Sequence, residues 1–213
     1  MRIEQILTAG DRNFGYLITD ETSKECVVID PSGAPQRFVG WINTESLKLR
    51  WIIGTHYHSD HMTGARELKG YYDAPIALHS EAMLPHDVSL EDGQTLPCGE
   101  ITIQVIHTPG HTPDSICLYV PGAVFTGDTL FVGKVGGTDF GSGARQQYLA
   151  LHDKLLKLPD DTKVYPGHDV GVRPVSTIRD EKMQNPFLLQ PDFEHFVELK
   201  RNWLDYKKQH GIK

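Results

Sequence analysis

Thr55-His56-Tyr57-His58-Ser59-Asp60-His61 brings four side chains able to bind a metal ion into one short stretch. A lone histidine says little, but three histidines and an aspartate this close together point to a metalloenzyme. In locally extended chain, side chains two residues apart face the same way, so the imidazoles of His56 and His58 can converge on one ion. Asp60 and His61 fall at the start of a helix predicted over residues 61–70, from which they can turn towards a second ion about 3.5–4 Å from the first. Imidazole with carboxylate suits zinc, iron or manganese, and zinc is the default for a nitrogen-rich set.

Such a loop needs a rigid support. Residues 49–53, Leu-Arg-Trp-Ile-Ile, have the content of a buried strand, and Gly54 ends it just before the histidines. Three other segments repeat the arrangement of a strand running into a tight turn with one donor. Residues 101–107 lead to Thr108-Pro109-Gly110-His111, residues 123–126 to Gly127-Asp128, and residues 163–165 to Pro166-Gly167-His168. Four strand ends can thus supply His56, His58, Asp60, His61, His111, Asp128 and His168 to one place.

The rest of the chain predicts a frame for these ends. Strands are expected over residues 2–7, 14–19, 25–29, 75–78 and 115–120, with helices over 35–43, 145–158 and 192–209. Meander strands followed by alternating helices and strands argue for an α+β fold of two sheets covered by helices. The last helix carries an apolar stripe along Phe193, Phe196, Val197, Lys200, Trp203 and Leu204, suited to covering a sheet or to a homodimer contact. Residues 1–190 are taken as the catalytic domain and 191–213 as a C-terminal helix.

The chain has 213 residues and a net charge of −7, which disfavours a polyanionic partner, so no nucleic-acid binding is expected. It has no apolar run long enough to span a bilayer, and its first residues lack the apolar stretch of a signal peptide. No membrane partner and a cytoplasmic location are therefore expected. Cys26 and Cys117 lie in strand-like runs and read as buried small hydrophobes, whereas Cys98, after Pro97, reads as a more exposed turn residue.

The motifs THYHSDH, TPGHTPDS, FTGDTLF and YPGHD, in that order, resemble the metallo-β-lactamase superfamily, and within it the glyoxalase II-like branch. The resemblance implies a four-layered αββα sandwich with metals at one edge between the sheets. It implies one ion held by His56, His58 and His111, a second held by Asp60, His61 and His168, and Asp128 bridging them. Residues 11–18, Asp-Arg-Asn-Phe-Gly-Tyr-Leu-Ile, also look like the opening segment of glyoxalase II.

Two divalent ions of this kind lower the pKa of a water from 15.7 to about 7 and polarise a carbonyl, which suits hydrolysis of a small thioester. Asp60 is the candidate catalytic residue, orienting the nucleophile or taking its proton. Where glyoxalase II carries a basic residue that helps hold glutathione, this chain has Gly137, so Lys134 becomes the candidate substrate contact. The alternative also rests on resemblance. Gly137-Thr138-Asp139-Phe140 is similar to a segment of persulfide dioxygenases, which implies a single iron on His56, His111 and Asp128 and a thiol-derived substrate.

Overall fold

The computed structural model describes residues 1–8, 10 and 12–211. Its first sheet contains β1 (Arg2–Leu7), β2 (Phe14–Thr19), β3 (Glu25–Ile29) and, after helix α1 (Pro35–Thr44), β4 (Lys48–Ile53). Two short helices, α2 (Ser59–Met62) and α3 (Ala65–Tyr72), lead to β5 (Ile76–His79) and β6 (Val88–Leu90), which complete that sheet in sequential order. The pairings from β3 to β6 are parallel.

The second sheet begins with β7 (Thr95–Cys98), β8 (Ile101–His107), β9 (Ile116–Val120) and β10 (Ala123–Gly127). A two-stranded ribbon, β11 (Leu130–Phe131) and β12 (Lys134–Val135), precedes helix α4 (Ser142–Leu149). Then come β13 (Lys163–Pro166), β14 (Ser176–Thr177), α5 (Ile178–Gln184), α6 (Phe193–Arg201) and α7 (Trp203–His210). The sheet order is β14-β13-β10-β9-β8-β7, with β13 parallel to β10.

Side-chain alternation builds the layers. Along β2, Tyr16 and Ile18 enter the core between the sheets while Leu17 enters the core beneath α1 and α3. Both faces of these strands are covered, which is why their sequences read as continuous apolar runs. In β8, Ile103 and Val105 face the other sheet and Ile106 faces the helices, where Phe196, Val197 and Leu199 of α6 complete a third core. The architecture is therefore the expected αββα sandwich, with α6 as part of its outer layer. Among the described residues no helix is long and apolar enough to cross a membrane.

Several expectations need correction. The helix predicted over 61–70 starts at Ser59 and is split between α2 and α3. Gly64 at the break lies so close to the Pro31 carbonyl that a Cβ there would meet it at 2.0 Å, so only glycine fits between the two helices. The helix predicted over 145–158 starts three residues earlier at Ser142 and loosens into a π-helical turn over Ala150–Lys154. The single helix predicted over 192–209 is two, broken at Asn202 (φ −102°, ψ 15°). Cys98 is fully buried in β7, because that strand's Leu96 and Cys98 face the inter-sheet core. Strands β6 and β7 and helix α5 were not foreseen. Asp11, the first residue of the opening segment, and residues 212–213 of the predicted tail lie outside the described residues.

Candidate metal centre

The seven predicted donors meet at the ends of β4, β8, β10 and β13, where the two sheets touch. The backbone holds these ends together directly: Ile116 N–H donates to Thr55 O at 2.8 Å, and Gly167 N–H donates to Gly127 O at 2.8 Å. Gly167 has to lack a side chain, since a Cβ there would lie 2.6 Å from Asp128 Oδ1 and 2.9 Å from His61 Cε1.

Within each of three groups the candidate ligand atoms lie within 4.8 Å of one another: His56, His58 and His111; His56, His61 and Asp128; Asp60, His61 and His168. Asp128 stands between the outer two. Its Oδ2 is 3.5 Å from His111 Nε2, while Oδ1 is 3.4 Å from His61 Nε2 and 3.3 Å from His168 Nε2. The two oxygens of one carboxylate are thus aimed at different donor sets.

Whether these residues fit cations can be tested on their unsatisfied atoms. His56 Nε2 and His58 Nδ1 are 3.0 Å apart, and His58 Nδ1 and His111 Nε2 are 3.1 Å apart. His56 and His111 have already committed their other nitrogens, to Thr55 Oγ1 at 3.1 Å and to the Gly137 carbonyl at 2.7 Å. Three nitrogen lone pairs therefore converge on one point. Asp128 Oδ1 is buried without a hydrogen-bond partner, an arrangement that costs free energy unless a cation meets it. The residues present fit a metal at both sets.

Electrostatics point the same way. Burial, reinforced by the neighbouring His61, holds His56 well below the ordinary imidazole value, and burial with His111 lowers His58. Burial tends to raise the Asp128 carboxyl, but His168 and His61 outweigh it and keep it well below the usual range. His61 is the exception, because Asp30 and Asp128 overcome its burial and lift it to about 10. A proton is the competitor a cation meets at that nitrogen.

The outer support of these ligands was missed in the sequence. Asp30, at the end of β3, accepts from His61 Nδ1 at 2.9 Å, from Thr55 N–H at 2.7 Å and from the Thr55 hydroxyl at 2.8 Å. One buried carboxylate thereby turns His61 Nε2 towards the centre and, through Thr55, fixes His56. Its signal was available: Glu25-Cys26-Val27-Val28-Ile29-Asp30 is a buried strand ending in an acid, beside the strand that carries the histidines. Asn13, within the opening segment 11–18, supports the second set. Its amide donates to Asp60 O at 3.0 Å and Asp60 Oδ2 at 3.1 Å.

Asp60, the predicted catalytic residue, lies 3.8 Å from His61 Nε2 and 3.6 Å from His168 Nε2, with its side chain 51% exposed. Lys134 stands at the edge of the centre, its Nζ 6.0 Å from the Phe131 ring, which in turn packs against His168. It lines a groove of about 660 Å³ together with Arg12, Val132, Arg173, Trp203 and Lys207. Burial and the Lys207 charge pull Lys134 below its ordinary value, with Asp128 opposing. His107 lies apart from the donors, stacked on His79 with ring centroids 3.8 Å apart.

Comparison with known proteins bears on the family and the fold. The family model described as metallo-beta-lactamase superfamily matches residues 10–168. Human mitochondrial persulfide dioxygenase ETHE1 is 36% identical over 197 residues, covering 89% of this chain and 76% of that protein. A probable hydroxyacylglutathione hydrolase, glo2 of Schizosaccharomyces pombe, is 32% identical over 198 residues, covering 89% of this chain and 74% of that one. The crystal structure of ETHE1 from Myxococcus xanthus superposes with a TM-score of 0.89 at 35% identity, covering 95% of this chain and 91% of that chain.

Proposed function

Given that the chain belongs to the metallo-β-lactamase superfamily, we propose that it is a metal-dependent hydrolase whose binuclear centre cleaves a small thioester. The observation that carries this reading is the division of Asp128 between two donor sets, Oδ2 towards His111 and Oδ1 towards His61 and His168. In this reading His56, His58 and His111 hold one ion and Asp60, His61 and His168 the other. When bound, two divalent ions supply an acidified water and polarise the acyl carbonyl.

The chain's own groups would do the rest. Asp60, gripped by Asn13 and open to solvent on its far side, would orient the attacking water and receive its proton. A thioester asks for no strong acid on the leaving side, because its thiol has an ordinary pKa of about 8.5. Lys134 and Lys207 would meet an anionic end of the thiol carrier in the groove beside His168. Among the described residues the one acid lining that groove, Glu181, is buried and already accepts from Gly133 N–H at 2.9 Å and the Asn185 amide at 2.8 Å. The groove therefore favours carboxylate or phosphate over an ammonium group.

A second reading is oxidation of a persulfide, with one iron on His56, His111 and Asp128. It is favoured by the 36% identity to a persulfide dioxygenase and by the segment Gly137-Thr138-Asp139-Phe140, whose first carbonyl holds His111. Elemental analysis of zinc, iron and manganese in protein purified without chelator separates the two. About two metals per chain with thioester turnover supports the hydrolase. One iron per chain with oxygen uptake on a persulfide overturns it in favour of the second reading.

A further inference from the structure

Lys200 is a half-buried lysine on α6 that faces inward towards the metal-centre loop. Its Nζ donates to two neutral acceptors, the Gly136 carbonyl at 2.7 Å and Gln147 Oε1 at 2.6 Å, and lies 5.3 Å from the Phe196 ring. Burial, with Lys134 nearby, pulls it down to about 7 against the field of Asp139. Desolvating a lysine without an acid beside it is costly, and simple anchoring of α6 is already served by Phe196, Val197 and Leu199.

The acceptors of Lys200 sit one step behind the centre. Gly136 presses on the backbone of Asp128, so closely that a Cβ would meet Asp128 O at 1.7 Å. The next carbonyl, Gly137 O, receives the His111 Nδ1 hydrogen bond at 2.7 Å. Gln147 donates to Gly136 O at 3.2 Å and Thr129 O at 3.4 Å, and its Cβ fills the space a side chain at Gly110 would need. One amine on the outer helix layer thus ties down both the loop carrying the His111 acceptor and the helix packed on the turn before His111.

We infer that Lys200 is a positioning residue for the His56, His58 and His111 set, acting through the Gly136 and Gly137 carbonyls on Asp128 and His111. The inference rests on the metal-centre reading. The test is titration of the apoprotein with cobalt(II), following the visible absorption that reports ligand geometry. The contribution lost in His58→Ala identifies the first set. Lys200→Met is expected to weaken that contribution about tenfold and alter its spectrum, while Lys200→Arg, which keeps the donors, restores most of it. If Lys200→Met does not fold, Lys200→Gln, which keeps a neutral amide donor on a shorter side chain, should give an intermediate loss.

Leu199→Ala is the control, since it loosens the same helix from the core without touching the loop. It should lower Tm and leave both spectrum and affinity unchanged. The inference is overturned if the Lys200 variants titrate like the wild type, or if Leu199→Ala reproduces their change. Wild-type protein that binds no cobalt would overturn the metal-centre reading and this inference together, whereas wild-type binding that Lys200 variants leave intact overturns the inference alone.

Discussion

Three imidazoles make up one donor set, His56, His58 and His111, whereas the other combines His61 and His168 with Asp60, whose side chain is half exposed. In the first set, Thr55 holds His56 and the Gly137 carbonyl holds His111. In the second, His61 is locked by Asp30, but Asp60 depends on one amide, that of Asn13. The difference teaches where the two functional readings part. His56 and His111, each held by a hydrogen bond, belong to the ligand set of either reading, whereas Asp60, His61 and His168 are called on only by the binuclear one.

The sharpest way to break the comparison is Asp128→Asn, which weakens the carboxylate shared by both sets. Turnover should fall by about 10³-fold, or about 4 kcal/mol of transition-state stabilisation; activity near the wild-type level in a steady-state assay would sink the site assignment. Asp30→Asn comes next. Losing the acceptor for His61 Nδ1 should cost about 10–100-fold in affinity at the second set, with a smaller loss at the first through Thr55. Calorimetric metal titration checks this, and equal losses at both sets would contradict the direct His61 contact as the main link.

Asn13→Ala should weaken the second ion by about tenfold or less and leave the first unchanged. An unchanged second affinity would mean that Asp60 needs no external grip. Lys134→Ala should have the smallest effect, a rise in KM of about three- to tenfold for an anionic thioester with kcat preserved, because it removes binding that is equal in ground and transition states. A fall in kcat instead would move Lys134 from the groove to the chemistry.

The convergence of the seven candidate donors was legible in the chain because each follows a strand end, and a strand ending in glycine or proline announces itself by composition. Two sheets covered by helices were legible for the same reason, since doubly covered strands such as Phe14–Thr19 are buried along their whole length, whereas the four-layered αββα stacking came from the family resemblance. What escaped is non-local. Asp30 looks like an ordinary turn aspartate until β3 lies beside β4, and Lys200, on the packing stripe of the last helix, has no visible partner until α6 is laid against Gly136 and Gln147. Strands β6 and β7, of three and four residues, are too short for periodicity to register. The break between α2 and α3 falls at Gly64, whose close approach to the distant Pro31 carbonyl no helix propensity encodes.

Candidate ligands from the first sheet, at the end of β4, meet candidates from the second, at the ends of β8, β10 and β13. None of the three donor groups can assemble on a chain in which only one sheet has formed, and the closing pairs are far apart in sequence, as His61 and His168 illustrate. Long-range closure of this kind is the slow part of folding. Metal uptake during refolding should therefore lag behind secondary structure and mark the moment when the two halves of the molecule dock, making the centre a built-in clock for its own assembly.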